Sequence, residues 1–325
     1  MIVPRFWAEA RVQHRQAGRQ VTVRRFGWSD TSEADAQTRA DARVREALDR
    51  ILHGEKLNRR ELKVPYNGAE GVPIREEILA EHGNTIITRN SYGAHCLNTP
   101  DVLFADVDFP ESPAPRLVLI FSILVFLPTT WFLWQYGAGW RLILVPIVAL
   151  FFGFIFAGWF HRARTLLAGG IEKYARRRIE AYAAKHPECR LRLYRTPSGF
   201  RVLAMHRLFD PGEPAVADFF TALGTDPVYV RMCLRQRCFR ARLTPKPWRI
   251  GITEHSRPRP GVWPLRPEAL PARQAWVARY EQASTAYAAC HFVADLGQGL
   301  PHDTVRMVQQ LHDELCRAES ALPMA

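Results

Sequence analysis

Two runs without a single charge, residues 117–134 (LVLIFSILVFLPTTWFLW) and 142–160 (LILVPIVALFFGFIFAGWF), govern what this chain can fold into. Each is close to the ~20 apolar residues that a bilayer core demands. Only QYGAGWR separates them, enough for a turn between antiparallel neighbours, so the sequence predicts a transmembrane helical hairpin. Trp131, Trp134, Tyr136 and Trp140 gather at the loop end and Trp159 at the other, as interfacial aromatics do. The competing reading is a hairpin buried in a soluble core. It is disfavoured because adjacent charge-free runs of this length are rare in soluble domains.

Basic residues set the expected orientation. The short loop holds Arg141 alone, whereas Arg116, Arg162, Arg164, Lys173 and Arg176–Arg178 crowd the outer flanks. The positive-inside bias therefore places both termini in the cytoplasm, as a multi-pass protein of the inner (cytoplasmic) membrane. The opening MIVPRFWAEARVQHRQ has no apolar stretch of the signal-peptide kind, so Met1 is expected to begin the mature chain. In a reducing cytoplasm Cys96, Cys189, Cys233, Cys238, Cys290 and Cys316 are not expected to form disulfides, and no CxxC pair is present. Cys233 and Cys238 lack a second ligand pair and read as packing residues.

The rest of the chain reads as globular. With 47% apolar and 11% aromatic residues it is no disordered chain, and 325 residues suffice for a sizeable core. Strands are expected at 20–25, 62–64, 85–89 and 102–109, with helices over about 33–53 and 75–81. After the hairpin come a basic helix (171–184), strands at 190–195 and 200–206 joined by a Pro–Ser–Gly turn, helices at 216–223 and 228–235, and a strand at 238–244. Seven prolines between 245 and 271 suggest an extended linker, and two helices (272–296 and 304–318) close the chain.

The fold expected is thus an α/β (α+β) cytoplasmic domain interrupted by a two-helix transmembrane hairpin, with a C-terminal helical segment. Its parts would be 1–115, the hairpin at 116–161, 162–250, a linker at 251–271 and a tail at 272–325. Because a hairpin returns the chain to the face it left, both flanking parts can build one domain.

Within VLFADVDF, strand alternation puts Asp106 and Asp108 on one face and Leu103, Ala105 and Val107 on the other. Paired carboxylates repel unless a cation sits between them, and oxygen ligands of this kind suit Mg²⁺ or Mn²⁺ beside a substrate phosphate. The plain alternative is a solvated strand end.

Between residues 190 and 249 stand eleven arginines and one lysine against four acids. Arginine dominance favours planar, bidentate phosphate contacts. Arg190 and Arg192, like Arg240 and Arg242, alternate with apolar residues, which predicts a basic outward face. Arg195, Ser198, Arg201, Arg240, Arg242 and Lys246 are the candidate phosphate-binding residues, with the backbone N–H groups around Ser198–Gly199 as a small nest. Attraction to anionic lipid would use the same charges.

The acidic strand followed by a TPSG-x-R hairpin resembles motifs of the archaeo-eukaryotic primase and primase–polymerase group. The match covers about twenty residues, carried by VLFADVDF and by Thr196, Pro197, Ser198, Gly199 and Arg201. The resemblance implies that Asp106 and Asp108 hold metal and that Ser198 and Arg201 touch nucleotide phosphates. The group's motif histidine falls on Val202 and its second glycine on Phe200; Asp210 or Asp226 would stand for its third acid. Three functions follow as expectations: a metal-dependent enzyme on nucleotides or nucleic acid, a non-catalytic binder of such a phosphate ligand, and a membrane scaffold whose basic surface contacts anionic lipid.

Overall fold

The computed structural model describes residues 3–16, 19–61, 72–136, 139–256 and 263–325. The chain opens with a long antiparallel hairpin, β1 (Phe6–Gln16) and β2 (Arg19–Ser29), covered by α1 (Glu33–Leu52). Ser32 starts that helix, its Oγ accepting the Asp35 N–H at 3.1 Å. Ala40, Val44, Ala47 and Leu48 of α1 bury against Ala10 and Val23, at the i, i+4 spacing of one helix face.

Next come β3 (Glu77–His82), β4 (Thr85–Arg89), β5 (His95–Thr99) and β6 (Phe104–Asp108). The helix expected at 75–81 is a strand instead. Gly83, at φ +58°, makes the left-handed turn that folds β3 back on β4, and pairing across that turn outweighs the helical preference of Glu and Leu. The expected strand at 62–64 lies outside the described residues.

The apolar runs form α2 (Pro115–Gln135) and α3 (Val145–Leu167), with a 3-10 turn over Gly139–Leu144 before the second. Both are long and apolar enough to cross a membrane. They lie antiparallel, since Phe121 early in α2 touches Phe160 late in α3, ring centroids 5.9 Å apart. Their outer faces expose Leu119, Leu127, Trp131, Ile147 and Phe151, each 60% or more accessible. Pro128 removes one donor from the α2 ladder, and just after it the Thr129 and Thr130 hydroxyls donate to the Val125 and Phe126 carbonyls at 2.7 Å, so neither hydroxyl is left unpaired in the apolar helix.

The second half runs α4 (Ile171–Lys185), β7 (Leu191–Thr196), β8 (Gly199–Ala204), α5 (Pro214–Leu223), α6 (Pro227–Gln236), β9 (Phe239–Arg242), α7 (Leu270–Ser284), β10 (His291–Leu296) and α8 (Asp303–Cys316). Two four-stranded antiparallel sheets result, ordered β10-β7-β8-β6 and β3-β4-β5-β9. Each combines strands from before and after the α2–α3 hairpin. One core joins them, drawing Leu97, Phe104, Ile179, Leu191, Val202, Phe220 and Phe239 from both sheets and their helices. At the hairpin's exit, His161 Nε2 meets the Pro110 carbonyl at its entrance, 2.6 Å away.

The tail departs from the two helices expected. The first stops at Ser284, and residues 291–296 add a strand to the free edge of β7. Edge pairing from His291 to Leu296, with a bulge at Val293, overrides the alanine-rich stretch before it. In the proline-rich stretch, short 3-10 turns form at Pro247–Arg249 and Pro267–Ala269; residues 257–262 lie outside the described set.

Candidate functional site

β6 and β8 are neighbours, so the two sequence motifs meet directly. Asp106 stands opposite Arg201 and Asp108 opposite Gly199. A Cβ on Gly199 would lie 2.1 Å from the Val107 carbonyl oxygen, so glycine alone lets the β7–β8 turn close on the acidic strand. The Phe109 N–H donates to the Ser198 carbonyl at 2.9 Å and seals that contact.

Asp106 is gripped by Arg201, whose Nε donates to Oδ1 at 2.8 Å and Nη2 to Oδ2 at 3.4 Å. Arg201 is 2% exposed. Burial pulls its pKa down, but the Asp106 carboxylate outweighs that and raises it. Asp108 faces solvent, and partial burial followed by the charges of Asp106 and Asp226 pushes its carboxyl above the usual range. Asp226 reaches this corner because its backbone N–H donates to the Asp106 carbonyl at 2.9 Å. Its side chain caps α6, accepting from the Val228 and Tyr229 N–H groups at 3.1 Å. Asp210 pairs with Arg237 at 2.8 Å and is not part of this group.

The candidate phosphate-binding residues divide. Arg195 is held by Glu172 at 3.0 Å and stacks 4.5 Å from the Phe109 ring centroid. Arg240 does not face outward: it is 4% exposed and paired with the equally buried Glu76 at 2.7 Å. The reason is that Glu76, outside any strand, enters the core beside Asn98, which also accepts from Arg240 at 2.8 Å. On β7, Arg190 pairs with Asp295 at 3.2 Å and Arg192 with Asp313 at 2.9 Å.

Ser198, Arg242 and Lys246 remain together, and Arg249 joins them. Arg249 Nη2 donates to Ser198 Oγ at 2.6 Å. Burial, then Arg242 and Arg249, lower the Lys246 pKa; burial and Arg242 likewise lower that of Arg249. Arg242 Nε and Arg249 Nη1 are buried donors without a hydrogen-bond partner among the described residues. Trp248 lies beside these cations, 52% exposed, its ring 5.4 Å from Lys246 Nζ and edge-on to Tyr92 at 5.3 Å. A cavity of about 350 Å³ opens here, lined by Tyr92, Trp248, Ile252 and His255 among others.

A second group was not foreseen. Cys290, His312 and Cys316 bring their ligand atoms within 4.8 Å of one another, all buried, and could hold a metal ion. His312 and Cys316 share one face of α8 at i, i+4; Cys290 precedes β10. Hydrogen bonding with Cys316, then with His312, holds the Cys290 thiol well below its ordinary pKa, and burial pushes Cys316 well up. The HxxxC spacing was visible in the sequence, but the third member lies on a separate element. All six cysteines are free and buried, Cys233 and Cys238 as packing residues at 0% exposure.

No protein-family profile, curated protein or solved structure matches the chain.

Proposed function

We propose that this protein is anchored in the inner membrane by α2 and α3, both termini cytoplasmic, and binds a phosphate-bearing ligand, a nucleotide or nucleic acid, at the Ser198–Arg242–Lys246–Arg249 corner. The observation that carries this reading is the crowding of three cations, where burial and the neighbouring arginines lower the pKa of Lys246 and burial and Arg242 that of Arg249, while two buried N–H donors of these arginines have no hydrogen-bond partner among the described residues. Like charges held together cost stability, and an incoming phosphate relieves both the repulsion and the unmet hydrogen bonds. Exposed Trp248 favours a nucleotide over bare phosphate, since a base can stack on it. Asp108, beside Asp226, supplies carboxylates for Mg²⁺ or Mn²⁺ riding on the phosphates. Asp106 is less available, its carboxylate being engaged by Arg201. Of the residues the primase-group resemblance implies, Ser198 and Asp108 fit this placement, whereas Arg201 is buried against Asp106.

The test is thermal unfolding of the detergent-solubilised protein with a nucleotide panel, with and without Mn²⁺. Nucleoside triphosphate should raise Tm more than pyrophosphate does, and Arg242→Gln and Trp248→Ala should each reduce the rise. No Tm shift with any nucleotide would end this reading. The lipid-contact alternative rests on α4, where exposed Lys173 and Arg177 directly follow α3. It expects binding of the basic face to anionic vesicles that survives exchange of Arg for Lys.

A further inference from the structure

We infer that Cys290, His312 and Cys316 form a buried centre for a soft d¹⁰ cation, Zn²⁺ or Cu⁺, that fastens α8 to β10, the edge strand of the sheet carrying Asp106 and Arg201. The spacing fits. Zn–S bonds of ~2.3 Å and Zn–N bonds of ~2.05 Å at a tetrahedral angle put nitrogen and sulfur ~3.6 Å apart. His312 Nε2 and Cys316 Sγ are 3.5 Å apart. Packing alone does not require that the third ligand atom fall inside the same 4.8 Å sphere.

The histidine is also held as a ligand should be. Its Nδ1 lies 3.0 Å from Asp313 Oδ1, and Asp313 in turn accepts from Arg192 at 2.9 Å. An ionised carboxylate only accepts, so Nδ1 carries the proton and the Nε2 lone pair faces the cysteines. This is the carboxylate–histidine support that orients metal ligands. Arg201 Nη1, a donor only, lies 3.2 Å from Nε2, which fits the same tautomer, and it would yield that lone pair when Nε2 takes a metal.

A cation beside a buried arginine looks contradictory until the charges are counted. Two thiolates neutralise Zn²⁺ and leave Cu⁺ with one surplus negative charge, so Arg201 faces a neutral or anionic centre. Thiolate and imidazole donors exclude Mg²⁺ and Ca²⁺. A redox switch is disfavoured by access: Cys290 and His312 are 0% and Cys316 1% exposed, whereas reactive thiols are partly open. The centre would join two pieces of chain. Cys290 leads into β10, which pairs with β7, and α8 carries the other two ligands.

The experiment measures metal per chain, by plasma mass spectrometry, on the full-length detergent-solubilised protein purified without chelator. About one equivalent of zinc or copper is expected, falling below a tenth of that in Cys316→Ser and unchanged in Cys233→Ala; the element found separates the two cations. Because Cys316→Ser can unfold the tail, wild type stripped of metal is also titrated with Co²⁺. A thiolate-to-cobalt charge-transfer band that Zn²⁺ or Cu⁺ abolishes supports the centre. Metal-free protein that gives no such band, and no Tm shift with Zn²⁺ or with Cu⁺ under reductant, overturns it.

Discussion

Asp106 and Arg201 face each other across β6 and β8 and close a bidentate ion pair at 2.8 and 3.4 Å. The arginine is almost wholly enclosed, while the Asp106 side chain keeps 33% of its surface in solvent. The same guanidinium donates to the Arg242 carbonyl at 2.8 Å. One residue thus links the acidic strand, the basic strand and the Cys–His group. Asp108, two residues along, has no such clasp and is crowded by acids.

The two aspartates should therefore respond oppositely to substitution. Asp106→Ala leaves a buried guanidinium without its counter-ion and should cost about 3 kcal/mol, the low end for breaking such a pair because Asp106 is partly solvated. Asp108→Asn removes repulsion and should raise Tm. Since the folded protein holds the Asp108 carboxyl above its ordinary pKa, the charged form is the penalised one. The gain should appear at neutral pH, fade as pH falls from the raised value to the ordinary carboxylate pKa, and be gone below it. Denaturant melts of both variants at neutral and acid pH measure this.

Arg240 and Glu76 form a second clasp, 4% and 2% exposed. Either Arg240→Met or Glu76→Leu alone should lose about 3–5 kcal/mol by stranding the other charge. The double variant should recover most of that loss, and a double-mutant cycle by urea unfolding reads the recovery.

Lys246 gives the proposed ligand site a pH signature. Burial and its two arginine neighbours lower its pKa, so it loses its proton at a lower pH than a solvated lysine. Affinity for a nucleotide should fall as pH rises through that lowered value, and Lys246→Met should remove this limb. The variant should bind about ten- to a hundred-fold more weakly at neutral pH, the weight of one charge-assisted hydrogen bond. Calorimetric titration across pH decides it.

His95 stores a response to acid. Burial first, then Arg89, depresses its pKa from 6.5 to about 4 despite Glu281 at 3.5 Å. The folded state keeps it neutral, so its contribution is whole above about pH 6.5 and is lost as pH falls towards 4. His95→Gln should flatten the stability profile across that window relative to wild type.

Local pattern carried a good part of this fold. The apolar runs, the alternation in residues 104–108 and the Pro–Ser–Gly turn between β7 and β8 each have a period or a turn residue that speaks for itself. What stayed hidden depends on partners far along the chain. Strand parity says that Arg240 and Arg242 share a face but not what that face meets, and Glu76 draws Arg240 into the core. β10 looked helical because its own residues are indifferent; the open edge of β7 decides. Of the proposed ligand corner, Ser198, Arg242 and Lys246 are residues that the sequence singles out, while Arg249 and Trp248 join only through the 3-10 turn that brings them back. Cys290 meets His312 and Cys316 only once β10 and α8 have docked.

The order β10-β7-β8-β6 also dictates a timetable of synthesis. β6 leaves the ribosome before the apolar hairpin, while β8, the strand hydrogen-bonded to it, emerges after it. Until then the nascent strand Phe104–Asp108 has two open edges, Asp106 lacks its arginine, and the half-made body offers its apolar face to any neighbour. Translation must therefore run past Ala204 before this sheet can start to close, and past Leu296 before it is complete.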